Sequence, residues 1–269
     1  MYKNIKRGLL QLLAAAILAG ALGNTSTALA KAAEDIVDTS EIENGIIIIN
    51  SQIEDVKVDK VRVVKDKIVY TYDYKNSMRI PLQSGNGAYQ VLLYSHVNGT
   101  QYKQAATETV DYSTDDGLTV YLQSSQSVNW NSGMKAIKKA EELTKALKTD
   151  SEKVAAIYNY IVNNYEYNYE KARTVTSGYI PAIDDVYNSK MGICYDYSVL
   201  FAAMLRSAGI PAKVLMGTSK DVDGYHAWNQ VYVDEEWITV DTTLDTGLGK
   251  TDQKTMEKKA NRYTIEKQY

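Results

Sequence analysis

Between Ile46 and Gln123 the apolar positions fall in short β-branched and aromatic runs: Ile46–Ile49, Val61–Val64, Ile68–Tyr74, Tyr89–His96, Tyr102–Val110 and Leu118–Leu122. Alternation with period two in Ile68-Val69-Tyr70-Thr71-Tyr72, and across Leu118, Val120 and Leu122, predicts strands with one buried face. Asn98-Gly99 between two runs predicts a hairpin, because both residues tolerate the positive φ of a type I′ turn. The spacing predicts a small all-β, sandwich-like domain over residues 45–127.

From Met134 the period changes to that of a helix. Ala136, Ile137, Ala140, Leu143 and Leu147 form one stripe, and Val154, Ile157, Tyr158, Ile161, Val162 and Tyr165 form a second. Thr149 and Glu152 stand at capping-box spacing before the second stripe. Tyr165, Tyr167 and Tyr169 alternate as a short extended piece, and Ile183–Asn188 suits one helical turn. A third helix is predicted over Cys194–Ala208, stopped by Gly209 at the left-handed cap position and by Pro211. Three strand-like runs follow, Lys213–Met216, Tyr225–Val233 and Trp237–Thr242, with turns at Ser219–Gly224 and Asp234–Glu236. Helices first and an antiparallel sheet after make residues 132–269 an α+β domain. Its polar tail, Gly247–Tyr269, is expected to add a short closing strand near Tyr263 or to stay partly disordered.

The N-terminus has the three parts of a secretory signal over residues 1–30: Lys3, Lys6 and Arg7, an apolar run from Gly8 to Leu22, and the small-residue site Ala28-Leu29-Ala30. Export to the cell surface or medium is the expectation. Residues 31–44 are read as a polar linker, and contact with a membrane is expected only if the signal segment stays uncleaved. The formal charge is 30 − 33 = −3, which offers no basic face for nucleic acid. With two histidines and one cysteine no metal cluster is expected, and Asp221-x-Asp223-Gly224 is read as a turn rather than a calcium loop. No cofactor is implied. His96, beside the predicted hairpin and far in sequence from any nucleophile, is read as a surface residue.

Cys194 is the only cysteine, so no internal disulfide can form. An exposed thiol outside the cell is an oxidation liability, so this one is either buried or in use. At the first turn of its helix the unpaired N–H groups and the dipole favour an anion, and the N–H of Cys194 itself could serve as an oxyanion donor. His226 and Asp241 lie fifteen residues apart across a tight turn. If Val233 faces Glu236, then His226 faces Thr243 and Asp241 is its diagonal neighbour, within reach of the imidazole. Nucleophile, base and orienting carboxylate could therefore meet. Each side chain also has a purely structural reading: a small buried thiol, a satisfied core histidine, an aspartate in a turn.

Gly192-x-Cys194, Leu205-Arg206-x-x-Gly209-Ile210-Pro211, His226-Ala227-Trp228-Asn229 and Trp237-x-x-x-Asp241-x-Thr243 resemble the transglutaminase-like superfamily, in particular its secreted bacterial members with an N-terminal β domain. The resemblance covers about residues 134–245. It implies a papain-like core with the cysteine at the start of a central helix, and it matches Cys194, His226 and Asp241 to the family triad; Arg206, Gly209 and Trp228 match motif positions that are read as structural. It also implies an acyl-thioester formed from a protein or peptide amide, in a setting that includes the cell wall, and resolved by water or by an amine. The competing reading is a non-catalytic scaffold that binds wall or protein.

Overall fold

The computed structural model describes residues 36–50, 57–248 and 255–269. The expected signal segment lies outside them. In the N-terminal half, β1 (Val37–Asp38), β2 (Ile46–Ile49), β3 (Lys60–Lys65), β4 (Ile68–Asp73), β5 (Met78–Pro81), β6 (Gly87–Asn98) and β7 (Gln101–Tyr112) form two antiparallel sheets. One has the order β1-β2-β5 and the other β4-β3-β6-β7. They share a core of Ile47, Ile49 and Ile80 from the first sheet with Val61, Val63, Val91 and Leu93 from the second. The alternation that predicted strands is what allows this, since it sends every second side chain into one layer.

Three local expectations are corrected here. Leu118–Leu122 is not a strand: Thr119–Leu122 is a 3-10 helix. Asp116 accepts the Leu118 N–H at 2.8 Å and the Thr119 hydroxyl at 2.6 Å, and this side-chain capping turns the chain despite the alternating apolar positions. At the hairpin, Asn98 pairs with Gln101, so the central residues are Gly99 and Thr100, and only Gly99 has positive φ, 48°. Part of the expected linker belongs to the sandwich, because Ile36 and Val37 are buried and β1 pairs with β2.

The second half has α1 (Lys135–Thr144), α2 (Asp150–Asn164), β8 (Glu166–Tyr167), α3 (Tyr169–Thr174), α4 (Ile183–Ser189), β9 (Met191–Gly192) and α5 (Cys194–Ser207). After them come β10 (Ala212–Ser219), β11 (Tyr225–Val233), β12 (Glu236–Val240), β13 (Glu257–Lys258) and β14 (Tyr263–Gln268). The sheet order is β13-β12-β11-β10-β14, antiparallel throughout. Helix α5 is the centre, packed on β10 and β11 and against α1, α2 and α4, with Val199 to Leu205 fully buried. This is an α+β protein, helices first and an antiparallel sheet after.

Local chemistry sets the element ends. Thr149 and Glu152 form the reciprocal capping box of α2, and Gly209, at φ 81°, closes α5. Helix α1 stops at Thr144, so Leu147 lies beyond it. Tyr169 begins a helix instead of extending a strand, because the Asn168 side chain caps Lys171 N–H at 2.8 Å. The turn at Asp234 and Glu235 has positive φ at both residues, 52° and 65°, which pairs Val233 with Glu236 as expected. The ladder then ends at Asn229 and Val240, short of the extrapolated pair of His226 with Thr243.

The closing strand β14 meets β10 at Gly217, where a Cβ would stand 2.0 Å from the Thr264 carbonyl oxygen. A backbone atom cannot yield as a side-chain tip can. Gly217→Ala is therefore expected to displace β14 and to cost about 2 kcal/mol, read as a lower urea midpoint.

Candidate active site

Cys194 opens α5, and the chain around it is held by other side chains. Asp196, fully buried, accepts the Ile193 N–H at 2.8 Å, the Tyr179 hydroxyl at 2.6 Å and the Lys171 ammonium at 2.7 Å. Lys171 also lies 4.4 Å from the centre of the Tyr179 ring, so α3 and the segment after it are latched to the start of α5. Gly192 is needed for the same approach, since a Cβ there would stand 2.7 Å from that of Asp196. Cys194 itself is partly exposed and unpaired.

His226, on β11, is 1% exposed, and Asp241, just past β12, is 0% exposed. Imidazole Nε2 and Asp241 Oδ2 are 2.8 Å apart. Asp241 Oδ1 accepts the Leu244 N–H at 3.0 Å, and Oδ2 also accepts the Tyr263 hydroxyl at 3.0 Å. A buried carboxylate with this many donors is held as an acceptor, which assigns the Nε2 proton to the bond with Asp241 and leaves Nδ1 for the thiol side. Nδ1 is buried with no closed hydrogen bond, while Cys194 is near enough to favour the protonated ring. Burial alone disfavours the charged imidazole. The Asp241 charge, its hydrogen bond and Cys194 outweigh that and push the ring from 6.5 up to about 10. It therefore keeps its proton through the neutral range and gives it up only as pH rises through about 10.

The structure hydrogen-bonds His226 to Asp241 and places Cys194 beside the ring. The motif residues read as structural are so: Trp228 is buried with its ring stacked on that of His226, and the buried Arg206 donates to three backbone carbonyls. Asn229 Nδ2 donates to Ser198 and Lys213 carbonyls, both at 2.9 Å, joining α5 to β10. Sequence reasoning missed Tyr263 and the latch on Asp196, whose partners are separated along the chain and carry no periodic signal. Asp221 pairs with Arg262, whose Nε lies 2.6 Å away, as befits a turn. His96 is exposed in its hairpin and bonded to the Gly99 carbonyl at 2.9 Å. Among the described residues no three His, Cys, Asp or Glu side chains converge as a metal site.

Residues 137–242, which contain Cys194, His226 and Asp241, match the model of the transglutaminase-like superfamily. This stretch is similar to transglutaminase-like domains. The mouse kyphoscoliosis peptidase is 31% identical over 136 residues, covering 46% of this chain and 20% of that protein. The human kyphoscoliosis peptidase is 32% identical over 118 residues, covering 40% and 18%. The chain thus spans about a fifth of the length of these relatives. A solved structure of a candidate cysteine protease from Cytophaga hutchinsonii is 21% identical, with a TM-score of 0.46, covering 83% of this chain and 75% of that one.

Proposed function

We propose that this protein is an exported thiol enzyme that cleaves protein or peptide amides through an acyl-thioester, with Cys194 as nucleophile, His226 as acid and base, and Asp241 as the residue that orients the ring. The observation that carries the reading is the buried His226–Asp241 pair, 2.8 Å apart, whose free nitrogen is left for the thiol at the start of α5. The thiolate sulfur attacks the amide carbon, the C–S bond forms, and the oxyanion takes up the Cys194 N–H, which as the first amide of a helix has no intrahelical partner. The Nδ1 proton passes to the amine as the C–N bond breaks. Water then attacks the thioester, His226 takes one of its protons, and the C–S bond breaks to return the thiolate beside the protonated ring and release the acid. Resolution by an amine in place of water is the second reading; it uses the same residues and gives cross-linking. Export rests on the signal-like residues 1–30.

The raised imidazole also sets the expected pH dependence. A proton kept on His226 through the neutral range stabilises a neighbouring thiolate, so alkylation of Cys194 by iodoacetamide should be faster than in His226→Ala, the difference closing as pH rises through about 10 and the ring loses its proton. In His226→Ala the rate should follow the profile of an ordinary thiol. To assign the reaction, the protein is offered casein and wall peptides, with and without a fluorescent primary amine. New peptide termini indicate hydrolysis and incorporated amine indicates transfer. Neither, together with an ordinary thiol profile, would leave the scaffold reading in place.

A further inference from the structure

Asp241 is fully buried, and its hydrogen bonds are divided unevenly between its two oxygens. Oδ1 has the Leu244 N–H. Oδ2 has two partners, His226 Nε2 at 2.8 Å and the Tyr263 hydroxyl at 3.0 Å. Tyr263 reaches it from β14, where it pairs with Ser219 of β10, and its ring lies 4.9 Å from that of Trp228. Trp228 in turn stacks on the His226 ring, the two planes 18° apart. Tyr263 thus meets the histidine–aspartate pair at both ends, through its hydroxyl at the carboxylate and through Trp228 at the imidazole.

Resting on the proposed function, we infer that Tyr263 is a positioning residue of the triad: its hydroxyl shares Asp241 Oδ2 with His226, fixing the carboxylate plane and drawing off part of the charge that holds the ring proton. Burial first and then the Asp241 charge push the phenol upward, which keeps it a donor through the neutral range. The other titratable groups around the pair and Tyr263 are Cys194 of α5, Tyr158 of α2, Asp245 of the turn after β12 and Asp221, itself paired with Arg262. Asp245 accepts the Tyr158 hydroxyl at 2.6 Å and is paired with Lys258 at 2.6 Å, so its charge is already matched. Tyr263 is left as the neutral donor that moderates Asp241.

The chemical consequence lies in the second half of the reaction. Water is activated only when His226 can accept a proton, and an aspartate whose full charge falls on the imidazole makes that ring slow to cycle. Tyr263→Phe keeps the ring on Trp228 and removes only the hydroxyl. It is expected to lower kcat about tenfold at neutral pH with KM within about twofold, and to move the His226 titration, followed by NMR of the ring, to higher pH. Alkylation of Cys194 at about pH 6 should be retained, whereas a variant that had lost its packing would return to the ordinary thiol profile. In the Asp241→Asn background the same tyrosine change should no longer move the His226 titration, because the hydroxyl acts through the carboxylate. An unmoved His226 titration in the otherwise folded Tyr263→Phe protein, or an equal effect in both backgrounds, would overturn the inference. The NMR readout needs no substrate, so failure of this inference is separable from failure of the enzymatic reading, which shows as absent turnover and an ordinary Cys194 profile in the wild type.

Discussion

Cys194→Ala is expected to remove essentially all turnover, a fall of about 10⁴-fold or more, while the melting temperature stays close to that of the wild type. The two outcomes separate because the thiol is not part of what holds the helix start. Ile193 N–H is satisfied by Asp196, the latch runs through Lys171 and Tyr179, and the close approach of the chain depends on Gly192. Cys194 is partly exposed, so its loss leaves no buried cavity of consequence, and alanine is the better helix former. Cys194→Ser should be nearly as inactive, since a hydroxyl beside an imidazole that is already protonated finds no base to ionise it. The measurement is kcat on a peptide substrate beside a thermal melt. Substantial residual turnover in the alanine variant would place the nucleophile elsewhere.

Arg206→Met should give the largest loss of stability of any single change outside the hydrophobic core, about 4 kcal/mol. Arg206 is 4% exposed. Its Nε donates to the Ala212 carbonyl at 2.9 Å, and its two terminal nitrogens donate to those of Gln123 at 2.9 Å and Tyr269 at 3.1 Å. These acceptors belong to the start of β10, the segment leaving the sandwich, and the end of the closing strand. Burial lowers the pKa of the guanidinium, which nonetheless stays charged at neutral pH. Methionine fills much of the space but removes the guanidinium donors from the Ala212, Gln123 and Tyr269 oxygens, of which the last keeps the Val214 N–H. Arg206→Lys should recover little, because one ammonium cannot spread its donors over three diverging acceptors. Urea denaturation of the three proteins tests this; a lysine variant as stable as the wild type would mean that charge rather than the planar fork is what the site requires.

Much of this molecule was legible before any fold was known, and the legible parts share a range. The α2 capping box, the end of α5 at Gly209 and the Asp234-Glu235 turn each involve residues within a few positions of one another. The same is true of the step from Cys194 to its helix. The match of His226 with Asp241 was also read from such a turn, although the ladder it starts ends at Asn229 and Val240 and the pair meets beyond it. Where local chemistry competes with itself, pattern misleads: the apolar alternation of Leu118–Leu122 lost to Asp116, which capped the turn from two and three residues away.

What the chain alone determined was therefore the order of elements, their ends, and a thiol, an imidazole and a carboxylate in positions that could meet. Tertiary structure decided the rest. It set β14 against β10 through the missing Cβ of Gly217 and so delivered Tyr263 to Asp241. It also buried Arg206 under carbonyls from three segments and brought Lys171 and Tyr179 to Asp196. The reason is physical: turns and caps are satisfied by neighbours along the chain and leave a signature there, whereas a buried charge is satisfied by whatever donor the packing brings, and that donor can lie anywhere in the sequence.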